Sequence, residues 1–134
     1  MVRNSSKINN YIKENRNRKF EWGVFDCCTM VCDIAVLQGG EDLAKDVRGT
    51  YTTAIGAKRV LKKHFGSMEE AFDKFNSIDV RFIQPGDLVM LDGDEEPLMG
   101  FFYGEGYYIV GVEEGLGLMV DDFKPLKAWR VSSW

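Results

Sequence analysis

The segment Trp22-Gly23-Val24-Phe25-Asp26-Cys27 holds the residue types that nucleophilic catalysis needs. Asp26 has the side chain of a helix cap, which places Cys27 in the first turn of the following helix. A thiol there faces unpaired backbone N–H groups and the positive end of the helix dipole, and both favour the reactive thiolate. A cysteine hydrolase also needs an imidazole to shuttle the proton and a polar group to orient that imidazole. The same Cys27 lies on an apolar stripe, where a cysteine serves as a small hydrophobe. The sole histidine, His64, falls near the end of a later helix, a place that the C-terminal dipole favours by itself. As a base it has to reach Cys27 from another helix end.

Metal chemistry is poorly supported. Cys28 and Cys32 stand at i and i+4, so they could share one ion, but no second Cys or His pair completes a four-ligand zinc site. The acidic run Asp92-Gly93-Asp94-Glu95-Glu96 offers oxygen ligands without calcium-loop spacing and reads as a solvated hairpin tip. Gly104-Glu105-Gly106 reads as a hairpin turn rather than a phosphate loop, because no helix follows it. No metal and no cofactor is assigned.

These residues need elements to hold them. The first half has helical periodicity. Ser5 or Ser6 is placed to cap a helix carrying Ile8, Tyr11 and Ile12. Asp26 caps a second, with Cys27, Met30, Val31, Ile34 and Ala35 as one stripe and Gly39-Gly40 as its stop. A short helix is expected over Glu41 to Asp46. A fourth runs from Thr52 to Phe65, with Ala54, Ala57, Val60, Leu61 and Phe65 inward and Gly66 ending it. Ser67-Met68-Glu69-Glu70 has capping-box spacing and opens a fifth, burying Met68, Ala71, Phe72 and Phe75. From Asp79 onward the period changes. Strands are expected at 79–82, 87–91, 98–103, 107–112, 116–120 and 128–131, between turns at Pro85-Gly86, Asp92-Gly93-Asp94, Gly104-Glu105-Gly106 and Glu114-Gly115. Helices first and antiparallel strands second predict an α+β fold, N-terminal helices on a C-terminal antiparallel sheet, over residues 1–134 as one domain.

Composition sets the outer bounds. At 134 residues, with 45% hydrophobic and 28% charged residues, the chain has the makeup of one globular domain rather than a disordered tail. No apolar run is long enough to span a membrane, and the polar start has no signal-peptide core. Three cysteines within six residues do not make a disulfide framework, so a reducing compartment is expected. The net charge is −4, yet Arg3, Lys7, Lys13, Arg16, Arg18 and Lys19 face Glu14 alone in the first twenty residues. Only Tyr11 lies among these cations, with Phe20 at the very end of the stretch, so a solvated helix face is favoured over a nucleic-acid surface.

Three segments in order resemble the NlpC/P60 cysteine peptidases. Asp26-Cys27-Cys28-Thr29-Met30-Val31 resembles their nucleophile segment, Asp-Cys-Ser-Gly-Phe-Val. Gln84-Pro85-Gly86-Asp87-Leu88-Val89 resembles their Pro-Gly-Asp-Leu strand. Leu98-Met99-Gly100-Phe101-Phe102-Tyr103-Gly104-Glu105-Gly106 resembles their His-Val-Gly-Ile-Tyr-Ile-Gly-Asn-Gly hairpin. The resemblance spans roughly residues 20 to 112 and implies a papain-like fold. It departs where chemistry is decided. Leu98 stands at the position of the catalytic histidine, and the apolar Ile109-Val110-Gly111 stands where the imidazole-orienting residue is found.

A narrower resemblance takes in Trp22-Gly23 with Asp26-Cys27, Arg48-Gly49-Thr50-Tyr51, Pro85-Gly86-Asp87 and Ala128-Trp129-Arg130. It is to a family of tailed phages and prophages whose members often lack the histidine. That resemblance implies a non-catalytic tail-tip or assembly component, made in the bacterial cytoplasm and carried into the virion tail. Its partners would be other tail proteins, with a peptide in the relic groove as a further ligand, and neither membrane nor nucleic acid is called for. The alternative is an active hydrolase or amidase of cell-wall peptides that uses Cys27 with a base recruited from elsewhere. The bare residues also have structural uses. Gly49 suits a turn, Arg48 could pair with Asp26, Asp33 or Asp46 or fork onto a backbone carbonyl, and Asp87 could cap its strand or bind backbone N–H groups at its start. Trp22 and Trp129 are expected as anchors between helices and sheet, and Trp134 as core or a partner contact.

Overall fold

Asp26 caps its helix as its spacing predicts. In a computed structural model, which describes residues 5–93, 96–119 and 123–131, its carboxylate accepts from the Thr29 amide at 2.9 Å. The Thr29 hydroxyl in turn accepts from the Asp26 amide at 2.9 Å, closing a capping box. The helix so begun is α2, Cys27–Leu37, which follows α1, Ser5–Asn15. After a turn-rich stretch come α3, Ala54–Phe65, and α4, Met68–Phe72, capped by Thr53 and Ser67. The strands are β1, Asn76–Ile78; β2, Leu88–Leu91; β3, Leu98–Tyr103; β4, Gly106–Gly111; β5, Gly115–Met119; and β6, Pro125–Arg130.

The protein is α+β, with a six-stranded open antiparallel sheet ordered β1-β6-β2-β3-β4-β5. Strand alternation divides the apolar residues between two faces. Leu88, Met90, Met99, Phe101, Val110 and Trp129 join Ile8, Phe25, Met30, Ile34 and Phe72 in the main core, under the helices. Val89, Leu91, Ile109 and Ala128 face the other way. They are covered in part by Ile78, Val80, Ile83, Leu98 and Phe123. No helix among the described residues is long and apolar enough to cross a membrane.

Several local expectations are corrected. The strand expected at Asp79–Phe82 is a 3₁₀ turn, Val80–Phe82, because the Asp79 carboxylate takes the Arg81 amide at 2.8 Å and caps it. The strand lies just before it, at Asn76–Ile78. The helix expected over Glu41–Asp46 is a run of turns. Asp42 turns its side chain to the Ala44 amide and the Arg48 guanidinium, and Leu43, Ala44 and Val47 reach the core without helical pairing. Ser6 lies inside the first turn of α1, so it does not cap it. Ala54 is exposed at the start of α3 rather than turned inward. On α2 the buried surface is wider than one stripe. Cys28, Thr29 and Cys32 are buried too, while Cys27 is only half-buried, because α2 runs between the sheet and α1. Trp134 lies outside the described residues, as do Asp94, Glu95 and Val120.

Candidate functional site

Cys27 occupies the first position of α2 and rests against the main core over β3. Burial pushes its thiol up to about 11, and the charge of Asp26 pushes the same way. The backbone amides of Met99 and Cys28 act on the sulfur in the opposite sense and are outweighed. The helix-terminal position therefore does not deliver a thiolate at neutral pH. Cys28 is held protonated too, by its hydrogen bond with Cys32 and by burial. All three cysteines are free thiols.

The groups acting most strongly on Cys27 include no imidazole. His64 is exposed on the last turn of α3, edge-on to Phe65 at 4.6 Å. It lines a cleft of about 340 Å³ with Asp46, Val47, Thr50, Val60 and Lys63. Leu98, at the position that the peptidase resemblance gives to histidine, joins the far-face cluster, whereas the next residue, Met99, joins the helix-face core. Ile109 and Val110 divide between the two faces in the same way.

Asp26 is 2% exposed, and both of its oxygens are occupied. Oδ1 accepts the Thr29 amide; Oδ2 accepts the Gly23 amide at 2.9 Å and the Tyr51 hydroxyl at 2.7 Å. Burial and the bond to Asp26 hold the Tyr51 hydroxyl well above its ordinary range. Gly23 has φ +78°, and a Cβ there would stand 2.5 Å from the Tyr51 carbonyl oxygen, so only glycine fits. The Gly49 amide closes the arrangement on the Gly23 carbonyl at 2.9 Å. The Gly23–Asp26 and Gly49–Tyr51 motifs are thus two halves of one clasp. Trp22 stands outside the core, half-buried and edge-on to Phe20 at 4.7 Å, rather than between helices and sheet.

Arg48 pairs with Asp33 at 2.7 Å and Asp42 at 3.1 Å; Asp26 and Asp46 are not its partners. Asp33 also accepts the Tyr11 hydroxyl at 2.7 Å, so one chain of polar contacts links α1, α2 and the turns after it. Asp87 accepts the Gln84 amide at 2.7 Å and forks with Arg130, Nε to Oδ1 at 3.0 Å and Nη2 to Oδ2 at 2.8 Å. Trp129 is fully buried in the core, and its indole N–H donates to Asp73 at 2.9 Å. The Gly86 carbonyl accepts the Gln38 amide group at 2.7 Å. Gly100 lets β3 and β4 close up, since a Cβ there would meet the Tyr108 carbonyl oxygen at 2.5 Å.

The structure therefore gathers the motif residues into separate fastenings rather than around Cys27. Tyr11, Thr29, Gln38, Asp42 and Asp73 hold these fastenings together, and their sequence positions give little sign of it. Only Thr29, three residues after its cap, has a readable spacing. Among the described residues no group of three or more His, Cys, Asp or Glu side chains is placed to hold a metal ion. The basic residues Lys7, Lys13, Arg16, Arg18 and Lys19 are all exposed, and the Arg18 guanidinium lies over the Phe25 ring at 4.7 Å.

A search of curated proteins returns no match. The family described as a domain of unknown function, DUF6950, matches residues 2–131, and the chain belongs to that family.

Proposed function

We propose that this chain is a non-catalytic relative of the NlpC/P60 cysteine peptidases, kept for its fold and surfaces and working as a tail-tip or tail-assembly component of a phage or prophage. The observation that carries the non-catalytic part is the surroundings of Cys27, whose thiol is pushed up to about 11 by burial and by Asp26. A nucleophile needs the reverse shift and a base within hydrogen-bond reach. The position matching the peptidase histidine is leucine, and it packs on the far side of the sheet. The motif residues themselves serve as clasps between segments, a use that survives loss of chemistry. The tail assignment rests on the resemblance of the Trp22-Gly23, Arg48–Tyr51, Pro85–Asp87 and Ala128–Arg130 segments to phage-encoded proteins. On this reading the partners are other tail proteins, and the compartment is the bacterial cytoplasm, then the virion tail.

The test is incubation of the full chain, and of its Cys27→Ser variant, with peptidoglycan-derived peptides, followed by mass spectrometry. No product from either protein is expected. Turnover that disappears with Cys27→Ser would overturn the reading in favour of a cysteine hydrolase.

A further inference from the structure

The two edges of the sheet are unlike. One edge, β1, is three residues long and begins with the polar pair Asn76-Ser77. The other, β5, reads Gly115-Leu116-Gly117-Leu118-Met119, with no charge and no proline. It runs in unbroken register against β4. Proteins normally guard such an edge by shortness, charge, proline or a bulge, and β5 has none of these. Among the described residues, no backbone hydrogen bond beyond the β4 ladder reaches it.

Its glycines differ in kind. A Cβ on Gly115 would stand 2.7 Å from the Arg18 carbonyl oxygen, so the chain's own backbone accounts for that glycine. Gly117 is not accounted for in this way. The nearest atom to a Cβ there is Met119 Cε, at 3.9 Å. A side chain there would project from the far face of the sheet into open space, so Gly117 leaves that face of the edge strand bare. Leu118 beside it is 42% exposed on the helix side, and Met119 is half-buried on the other.

We propose that the open side of β5 receives an extended segment of a partner protein as a seventh strand, with an apolar middle and lysine or arginine at its ends. The added strand would pair the outward backbone groups of Gly117–Met119 and cover Leu118 and Met119. Charge selects the occupant. Glu113 and Glu114 stand exposed in the turn before β5, and Glu105 stands exposed in the turn beside its far end. The sequence past that end continues with Asp121 and Asp122. Antiparallel pairing with a second copy would set acidic ends against acidic ends, which disfavours self-association. A strand with basic ends meets opposite charge at both. The proposal does not depend on whether Cys27 is reactive.

The test uses the full ¹⁵N-labelled chain and a peptide of alternating valine and threonine with two lysines at each end. Its control has the lysines replaced by glutamates. The lysine peptide should shift the amides of Leu116–Met119 and slow their hydrogen exchange, and it should bind about tenfold tighter than the control. Leu118→Lys, at an exposed site that tolerates a charge, should abolish the shifts. The double variant Glu113→Lys/Glu114→Lys, wholly at the surface, removes the acidic charge at one end only and should narrow the preference for the lysine peptide. Absence of β5 shifts with the lysine peptide, or equal binding of the two peptides, would overturn the proposal. So would concentration-dependent broadening of β5 amides without peptide, which would make a second copy the occupant.

Discussion

The Tyr51 hydroxyl donates to Asp26 Oδ2 at 2.7 Å, across twenty-five residues of sequence and inside the protein. This bond ties the start of α2, where Cys27 sits, to the segment leading into α3. Replacing Tyr51 by Phe keeps the ring and removes the donor. The bond to a buried charge should then be lost at a cost of about 1–3 kcal/mol, read as a lower urea midpoint with an unchanged slope.

Alkylation of Cys27, followed site by site by mass spectrometry, should be slow at pH 7. It should be roughly a hundredfold slower than for a free thiol, and rise through an inflection near pH 11. A fast reaction with an inflection below pH 8 would point to a poised nucleophile.

The same thiol gives stability a pH dependence. Its folded pKa lies above its unfolded one, so the folded chain keeps the proton after the unfolded chain has released it. The contribution is complete below the unfolded value of about 8.5 and is lost as pH rises towards 11. The stability difference between the wild type and Cys27→Ser should therefore shift against the wild type across that window. Denaturant titrations at pH 8 and pH 10.5 measure it.

Leu98→His restores the peptidase residue in sequence but not in space. Its side chain enters the far-face cluster with Val89 and Leu91. No turnover of cell-wall peptides is expected, and burial of part of an imidazole among apolar side chains should destabilise the fold by about 1–3 kcal/mol. Hydrolysis by this variant would show that the histidine reaches Cys27 after all.

Arg130→Ala leaves Asp87 as a nearly buried carboxylate with one amide donor where it had a bidentate guanidinium. Loss of about 3 kcal/mol or more is expected by thermal or urea unfolding.

Much of the fold is legible in the order of residues. The apolar and aromatic run Leu98–Tyr103, stopped by the glycine turn after it, marks β3 to the residue, and the cap spacing at Asp26 and Ser67 locates α2 and α4. Two of the misreadings, the strand at Asp79–Phe82 and the helix at Glu41–Asp46, share one physical source. At Asp79 and Asp42 a side chain bonds its own backbone two residues on, and this turns the chain where apolar content suggests a strand or a helix. Cys27 was legible as a helix-start thiol, but its surroundings were not. Burial and the neighbouring Asp26 charge outweigh the helix-end donors, and their weight depends on how α2 packs against β3. Arg48 was legible as a cation needing a carboxylate. Which one it takes depends on the turn at Asp42, which no periodicity announces.

In the sheet order, β6 lies between β1 and β2, so the last described strand completes the middle of the sheet rather than its rim. A chain emerging from the ribosome has helices, β1 and the β2–β5 meander in hand while the seat between β1 and β2 is still empty. Trp129, fully buried beneath the helices, arrives with the strand that fills it. Cooperative folding of this domain must therefore wait until β6 has been made. A nascent or truncated form ending before Trp129 exposes two unfilled strand edges, the kind of surface that chaperones and proteases recognise.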